Sequence, residues 1–373
     1  MRSLAAGARL PAKAPEADIS TLLDRLRRMI EANGPISVAD YMALCLGDPE
    51  HGYYMKQDPF GRGGDFITAP EVSQLFGELV GAWLADAWHQ IGRLSPVNLV
   101  ELGPGRGTLM KDILRVAAVD REFLAALDVH LVEISPALRT RQRETLKDVQ
   151  PTIHWHDSIA GIPEGPLLVV ANEFFDALPV RQYVAHGGRW QERRIGLDTD
   201  GRLAFVPGPG TLRTDLKPVE NAIVEISPAS TAVMAGLAAR LGEHGGAALI
   251  IDYGHTGPAI GETLQAVRGH RYADPLADPG DADLTGHVDF AALKAVCGGT
   301  GTHCHGPITQ GDFLLGLGLL ERAGRLGSGK DEATQQSIRD AVERLAGPDQ
   351  MGRLFKVLAV TGVDIRPLPF PAD

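Results

Sequence analysis

The chain has 373 residues, of which 44% are hydrophobic and 22% charged, enough to bury a core in one large domain or two smaller ones. A formal net charge of −11 argues against nucleic acid as the main partner, because a general phosphate-binding surface is basic. Three scattered cysteines are too few for a disulfide framework and fit a reducing compartment, and no apolar run reaches the ~20 residues that span a bilayer.

In chain order, residues 1–18 read as a frayed tail: the first fifteen carry three basic and no acidic residues but no signal-peptide core. Ile19 to Asn33 has helical periodicity, with Leu22, Leu23, Leu26, Met29 and Ile30 on one side, and Gly34 and Pro35 stop it. Ser37 is placed to N-cap a helix from Val38 to Leu46. The turn-rich D-P-E-H-G-Y-Y, Asp48 to Tyr54, and a glycine-rich loop, Gly61 to Glu71, lead into a long helix expected from Glu71 to Ile91. Residues 19–96 thus form a mostly helical N-terminal segment.

Strands then alternate with helices over 97–180: Asn98 to Leu102, Asp128 to Ile134, Thr152 to Trp155 and Leu167 to Ala171. This pattern predicts a parallel α/β sheet, and L-L-V-V-A suits a strand buried on both faces. Residues 181–227 read as an inserted β-meander, with hairpin signals at His186 to Arg189 and Asp198 to Arg202. The second part of the core, 228–373, begins with a helix from Pro228 to Glu243 and a strand from Ala247 to Ile251. Residues 256–286, rich in Asp, Pro and Gly, predict a long loop. Helices are expected at Val288 to Val296, Asp312 to Ala323 and Gln336 to Leu345, and strands at Thr302 to Ile308 and Phe355 to Val360. The hexapeptide V-E-I-S-P-A occurs at Val132 to Ala137 and again at Val224 to Ala229, which we read as shared turn chemistry rather than a domain repeat.

The most informative stretch is N-L-V-E-L-G-P-G-R-G-T-L, Asn98 to Leu109. Gly103, Gly105 and Gly107 allow positive φ and a close ligand approach at the start of a helix. The G-x-G-x-G spacing differs from the G-x-G-x-x-G dinucleotide fingerprint. With Glu101 two residues before the first glycine, it resembles motif I of Rossmann-like S-adenosylmethionine (SAM) methyltransferases. SAM carries a sulfonium and an ammonium but no phosphate, so a carboxylate suits it. The plain alternative is a glycine-rich turn that binds nothing.

Ligands of open parallel sheets bind beyond the carboxyl ends of the strands. Glu133, ending the second strand, is placed to accept the ribose hydroxyls, or else simply favours a helix N-terminus. Asp157 or Ser158, after the third strand, meets the adenine amino group or merely caps. A-N-E-F-F-D-A-L-P, Ala171 to Pro179, puts Asn172, Glu173 and Asp176 where methyltransferase folds present the acceptor. A carboxylate pair there can orient an amine or guanidinium and take its proton; the alternative is a core phenylalanine with a capping Asp. Asp252, Tyr253, His255 and His287 share this edge, the histidines reading first as structural. Cys297, His303, Cys304 and His305 lie close in sequence, but no C-x-x-C pair is present and adjacent strand residues face opposite ways, so no metal site is expected.

The set G-D-F-I-T-A-P-E (Gly64 to Glu71), V-E-L-G-P-G-R-G-T-L, N-E-F-F-D-A-L-P, I-D-Y-G-H and D-L-T-G-H-V-D-F (Asp283 to Phe290), in this order, resembles the MidA-like family of bacterial and mitochondrial SAM-dependent methyltransferases. The resemblance runs from about Leu22 to Val360. It implies a Rossmann-like methyltransferase sheet with the N-terminal helical segment and the inserted β-meander and helices as substrate portion. It implies SAM as cofactor and a protein substrate: in mitochondrial members, an arginine on a core subunit of respiratory complex I, symmetrically dimethylated. It implies the cytoplasm in a bacterium and the mitochondrial matrix in a eukaryote. Asp65 and Thr68, with Glu71, lie in a loop that Gly61, Gly63 and Gly64 free to fold over the cofactor, although Thr68 also reads as an N-cap. Three other readings stay open: an assembly factor with vestigial SAM binding, a small-molecule methyltransferase, and more distantly a nicotinamide dehydrogenase. The acceptor protein, the number of methyl groups and the oligomeric state are not legible.

Overall fold

The computed structural model describes residues 21–56, 68–257 and 259–371. The expected tail and the glycine-flanked loop with Gly61, Gly63, Gly64 and Asp65 lie outside the described residues.

The strands are β1 (Ile36–Ser37), β2 (Val97–Leu102), β3 (Leu127–Val132), β4 (Ile153–His156), β5 (Leu167–Asn172), β6 (Arg181–His186), β7 (Arg189–Leu197), β8 (Leu203–Leu212), β9 (Ile223–Ile226), β10 (Gly246–His255), β11 (Gln265–Arg268), β12 (Arg271–Ala273), β13 (Asp283–Thr285), β14 (Val288–Asp289), β15 (His303–Thr309) and β16 (Phe355–Thr361). The central sheet has the order β15-β16-β10-β5-β2-β3-β4, with β14 added along the end of β10. From β10 to β4 it is parallel; β16 runs antiparallel to both β10 and β15. The sheet is therefore mixed, not all parallel, because an apolar run such as Phe355–Thr361 encodes burial but not direction.

β2 and β5 are buried along their whole length, as continuous apolar runs require. Alternate residues feed opposite faces. Leu99, Leu131, Val170 and Leu249 pack with Trp83, Trp88 and Ile113 of the helices Gln74–Gln90 and Thr108–Ala117. Val100, Val169, Ala248 and Ile250 pack with Leu237 and Leu293 of the helices Pro228–His244 and Phe290–Cys297. Each such fully buried large side chain contributes about 1.5–3 kcal/mol.

Two expected helices are broken. The one expected at Glu71 to Ile91 splits into Ala69–Val72 and Gln74–Gln90, because Ser73 is extended and its hydroxyl accepts from Leu75 N–H, capping the second piece. The one expected at Asp312 to Ala323 splits into Gln310–Gly316 and Leu319–Gly327 at Gly318, where φ is +89°.

The remaining chain forms one further layer. The meander continues to Leu212 and gains β9, while β1 of the N-terminal segment pairs with β7, Ile36 opposite Ile195. Residues 256–286 are not a structureless loop: β11 pairs antiparallel with both β12 and β13. Leu26, Tyr41 and Tyr53 from the N-terminal segment, Ile195 from the meander, and Leu264, Ala266 and Leu284 around the small sheet share one apolar core. Three segments distant in sequence therefore lie together over one end of the central sheet.

Candidate active site

The strand order reverses between β2 and β5, which are neighbours, so a crevice opens beyond their carboxyl ends. Gly103, Gly105 and Gly107 follow β2 with φ of +63°, +50° and +80°. A Cβ on Gly103 would stand 3.0 Å from the Phe174 ring, so only glycine serves both the backbone and the packing there. The cavity at this point is lined by Thr68, Glu101, Gly103, Gly105, Asn172 and Glu173, among others.

Glu101, at 3% exposure, points an oxygen, Oε2, that has no partner. Burial pushes its carboxyl up to about 8; the backbone N–H of Met110 opposes this and nearby Glu133 adds to it. Glu133 follows β3, also buried, and burial raises its pKa as well. Its Oε1 accepts from Ser135 N–H at 2.8 Å and its Oε2 from Gln142 Nε2 at 3.1 Å. Gln142 also donates to the Gly105 carbonyl at 2.8 Å and accepts from Trp155 Nε1 at 2.9 Å. It thereby ties the glycine turn to Glu133. The sequence signal for it is a glutamine on the inner face of the helix Pro136–Thr145, where an apolar residue would be expected.

Asp157 and Ser158 follow β4 and are exposed; Asp157 pairs with Arg139 at 2.6 Å, and the Ser158 side chain caps nothing. Neither lines the cavity. Thr68 stands at the N-cap position of Ala69–Val72 without a side-chain cap bond. The next residues fold across the glycine turn: Glu71 accepts from Thr108 Oγ1 at 2.5 Å and approaches Arg106 at 3.7 Å, and Ala69 N–H donates to Glu173 Oε1 at 3.1 Å.

The N-E-F-F-D turn is pinned by a residue given no role from sequence. Asp252, fully buried within β10, accepts at Oδ2 from the backbone N–H groups of Phe174, Phe175 and Asp176 at 3.2, 2.9 and 3.2 Å. Glu173 sits in the left-handed region at φ +49°, rare for a residue with a side chain, and its N–H donates to the Ile251 carbonyl at 2.9 Å. Phe174 covers Gly103, while Phe175 enters the core. Burial, then the charge of Asp176, raises Glu173 to about 7, and burial raises Asp176 to about 6. The Asp252 carboxyl is raised too, by burial and by both of these acids.

The outer layer supplies a third side. Asp48 Oδ1 accepts from Glu50 and His51 N–H at 3.1 and 3.0 Å, forming the turn that delivers Tyr54. Tyr54 Oη donates to Asp283 Oδ1 at 2.9 Å, and its carbonyl accepts from Ser135 Oγ at 2.6 Å. His287 meets the Tyr253 ring edge-on at 5.5 Å. His255 Nδ1 lies 2.6 Å from the Gly257 carbonyl, which fits a structural histidine. Cys297 donates to the Leu293 carbonyl at 3.4 Å and His305 lies 3.1 Å from Thr361 Oγ1; among the described residues no group of three His, Cys, Asp or Glu is arranged to hold a metal ion.

A family model for S-adenosyl-L-methionine-dependent methyltransferases matches residues 79–308, more than half of the chain. The chain belongs to this MidA-like methyltransferase family. Relatives include the mitochondrial protein arginine methyltransferase NDUFAF7 of Danio rerio, 38% identical over 91% of this chain and 86% of the relative. The Drosophila melanogaster homolog is 39% identical over 92% and 86%, and the Homo sapiens protein 35% over 94% and 85%. A crystal structure from Burkholderia thailandensis with bound S-adenosyl-homocysteine is similar across 96% of this chain and 97% of that one, with a TM-score of 0.81 and 30% identity. The methyltransferase uses SAM as its cofactor. The residues present suit it: an unpartnered buried acceptor on Glu101 beside three left-handed glycines offers a cationic ligand a counter-charge and a close backbone. Among the described residues, no helix of this methyltransferase is long and apolar enough to cross a membrane.

Proposed function

We propose that this enzyme methylates an arginine side chain of a protein, with Asn172, Glu173 and Asp176 on the acceptor side. In this reading Glu101, Glu133, Gly103, Gly105, Gly107 and Thr68 hold SAM, with Asp157 and Ser158 at its adenine end; Asp65, a further candidate, lies outside the described residues. One observation carries it. Glu101 Oε2 and Asn172 Oδ1, on two residues that line the cavity beside Arg106, and Asp176 Oδ1, at the end of the N-E-F-F-D turn, are buried acceptors with no partner. Such a wall calls for ligands rich in N–H donors and positive charge. A guanidinium offers five donors in one plane. The names of the relatives, protein arginine methyltransferases, support the same acceptor.

When bound, SAM supplies an electrophilic methyl group on a sulfonium. The protein's task is to align the acceptor and keep its nitrogen nucleophilic. A guanidinium stays protonated at any ordinary pH and is a poor nucleophile. Asp176, beside it, draws the positive charge toward the nitrogens that do not attack. Glu173, raised to about 7, is a proton acceptor matched to neutral pH. Both acids are costly to ionise together in the empty crevice, and an entering cation removes that cost. The acceptor we propose within this class is a core subunit of respiratory complex I. The setting is the matrix in a eukaryote, as the mitochondrial relatives suggest, and the cytoplasm in a bacterium.

The test incubates the protein with labelled SAM and lysate from a knockout strain, then locates the label by mass spectrometry. Label on an arginine, lost with Asp176→Asn while SAM still binds, is the expected result. Label only on a small molecule, or none on any protein, overturns the reading.

A further inference from the structure

Glu173 is fixed at its backbone and steered at its side chain. Its N–H is held by the Ile251 carbonyl, and the next two N–H groups by Asp252. Among the described residues its carboxylate has two donors, and both take the same oxygen: Ala69 N–H at 3.1 Å and Asn172 Nδ2 at 3.2 Å reach Oε1. Oε2 is left to the cavity that Glu173 lines. Asn172 is the chain neighbour of Glu173 and moves with it, so that bond fixes no direction in space. Ala69 belongs to a separate segment and does.

Glu71 holds that segment in place. Residues 68–72 form one tight turn: Glu71 N–H and Val72 N–H donate to the Thr68 carbonyl at 2.9 and 3.2 Å. Pro70 has no N–H to leave unpaired there. Ala69 is fully buried, so the turn has one face in the core. Glu71 ties the turn to the start of the helix Thr108–Ala117: its Oε1 accepts from Thr108 Oγ1 at 2.5 Å, and its Oε2 stands 3.7 Å from Arg106. The Glu71 and Arg106 side chains are only 19% and 25% exposed, so water screens the pair little. One short turn thus meets the glycine turn through Glu71 and Glu173 through Ala69.

Charge alone does not aim Glu173. Asp176 on its own turn and Asp252 on β10 oppose its ionisation, and Arg344, from the helix Glu332–Ala346, favours it. Glu71, Glu101 and Arg106 share its cavity. None of these six side chains is a hydrogen-bond donor to the Glu173 carboxylate.

We infer that Glu71 is a positioning residue of the transfer site: braced on Thr108 and Arg106 beside the glycine turn, it sets the turn 68–72 so that Ala69 N–H holds one oxygen of Glu173 and presents the other to the acceptor. This rests on the reading that Glu173 faces the acceptor. It also accounts for the order T-A-P-E, in which the residue that bonds Glu173 and the residue that bonds Thr108 stand two apart in one rigid turn.

The test pairs Glu71→Ala with Thr108→Val, which keeps the side-chain shape and removes only the hydroxyl. Both are expected to lower kcat on an arginine-containing peptide roughly tenfold at saturating SAM, the scale of a lost hydrogen bond to a charged group, with the peptide KM little changed. The acidic limb of the kcat/KM profile moves to higher pH, because Glu173 without its Ala69 donor ionises less readily. Carbon NMR of 13C-labelled glutamate, with Glu173→Gln assigning the signal, reads the same group in cofactor-free protein: its midpoint rises by about one pH unit, a tenfold change in ionisation. Thr108→Ser, which restores the hydroxyl, brings the midpoint back. If Glu71→Ala does not fold, Thr108→Val carries the test. An unmoved pH limb and an unmoved Glu173 titration in Thr108→Val overturn the inference, even if SAM affinity falls, for Glu71 is then only a wall of the cofactor cavity. If Glu173→Gln methylates at the wild-type rate, the reading of Glu173 as an acceptor-side acid falls by itself, and the titration still decides whether Glu71 sets that carboxyl.

Discussion

The two V-E-I-S-P-A stretches have the same six residues and the same turn, yet their glutamates have different company. Ser135 accepts from Leu138 N–H and Ser227 from Ser230 N–H, each capping a helix that begins with proline. Glu133 follows a parallel strand one place from the switch point, beside Glu101, and each of its oxygens has a single donor. Glu225 lies in an antiparallel strand of the outer layer and is saturated: it accepts from Gln182 Nε2 at 2.8 Å, Leu264 N–H at 3.0 Å, Thr263 N–H at 3.2 Å and the Thr263 hydroxyl. A carboxylate has about four lone-pair sites. Glu225 has spent all of its own on joining the meander to the stretch before β11, and Glu133 keeps two for a ligand. Local sequence builds the strand end and the cap; sheet order decides whether the acid meets a crevice or another strand.

The comparison breaks most visibly at Glu225. Glu225→Ala leaves Leu264 N–H, Thr263 N–H and the Gln182 amide without their acceptor, and we expect about 3 kcal/mol of lost stability. Urea unfolding followed by tryptophan fluorescence measures this. SAM affinity of the folded fraction is expected to be unchanged. A stable variant that has lost SAM binding would reverse the roles assigned to the two glutamates.

Glu133→Gln is the complementary change, with a smaller effect on a different observable. The amide keeps one acceptor oxygen for Ser135 N–H, so the turn persists and the melting temperature stays close to wild type. The acceptor offered to a ribose hydroxyl is weakened, and SAM affinity falls about tenfold, the scale of one charge-assisted hydrogen bond. Calorimetry with unchanged affinity would make Glu133 a helix-terminus acid only, no different in kind from Glu225.

The same contrast shows why some of the site was legible and some was not. Ser37, Ser135 and Ser227 bond within three residues, and the glycine turn and N-E-F-F-D are contiguous, so their chemistry reads directly from neighbours. Asp252 bonds a turn 76 to 78 residues away, Gln142 reaches back 37 to Gly105, and Tyr54 reaches 229 to Asp283. No local pattern encodes those partners. The small sheet escaped because its strands are three or four residues long, amid Asp, Pro and Gly, and its few buried apolar contributions are Leu264, Ala266, Ala282 and Leu284. What made that stretch look like a loop also hid the bond from Gln265 Nε2 to Thr285 Oγ1 that ties β11 to β13.

The smallest effect concerns Glu101, which separates the crevice from the outer layer by its response to protons. Its carboxyl rises from 4.5 to about 8, chiefly by burial, so at neutral pH the cofactor-free protein holds a proton there that the unfolded chain does not. The folded state binds more protons between those values, so this group makes stability fall as pH rises from about 4.5 to about 8. Below that window both states are protonated and the term vanishes; above it the full cost of the buried charge is present. A sulfonium or ammonium placed beside Glu101 favours its ionised form. SAM binding at pH 7 is therefore expected to release a proton, visible as a calorimetric enthalpy that depends on the ionisation heat of the buffer. Glu101→Gln abolishes the dependence. Glu133→Gln reduces it slightly, because the charge of Glu133 is part of what holds Glu101 protonated. Glu225→Ala, in the outer layer, leaves it intact. A buffer-independent enthalpy in wild-type protein would mean that Glu101 keeps its proton in the complex and meets a hydroxyl or N–H rather than a full positive charge.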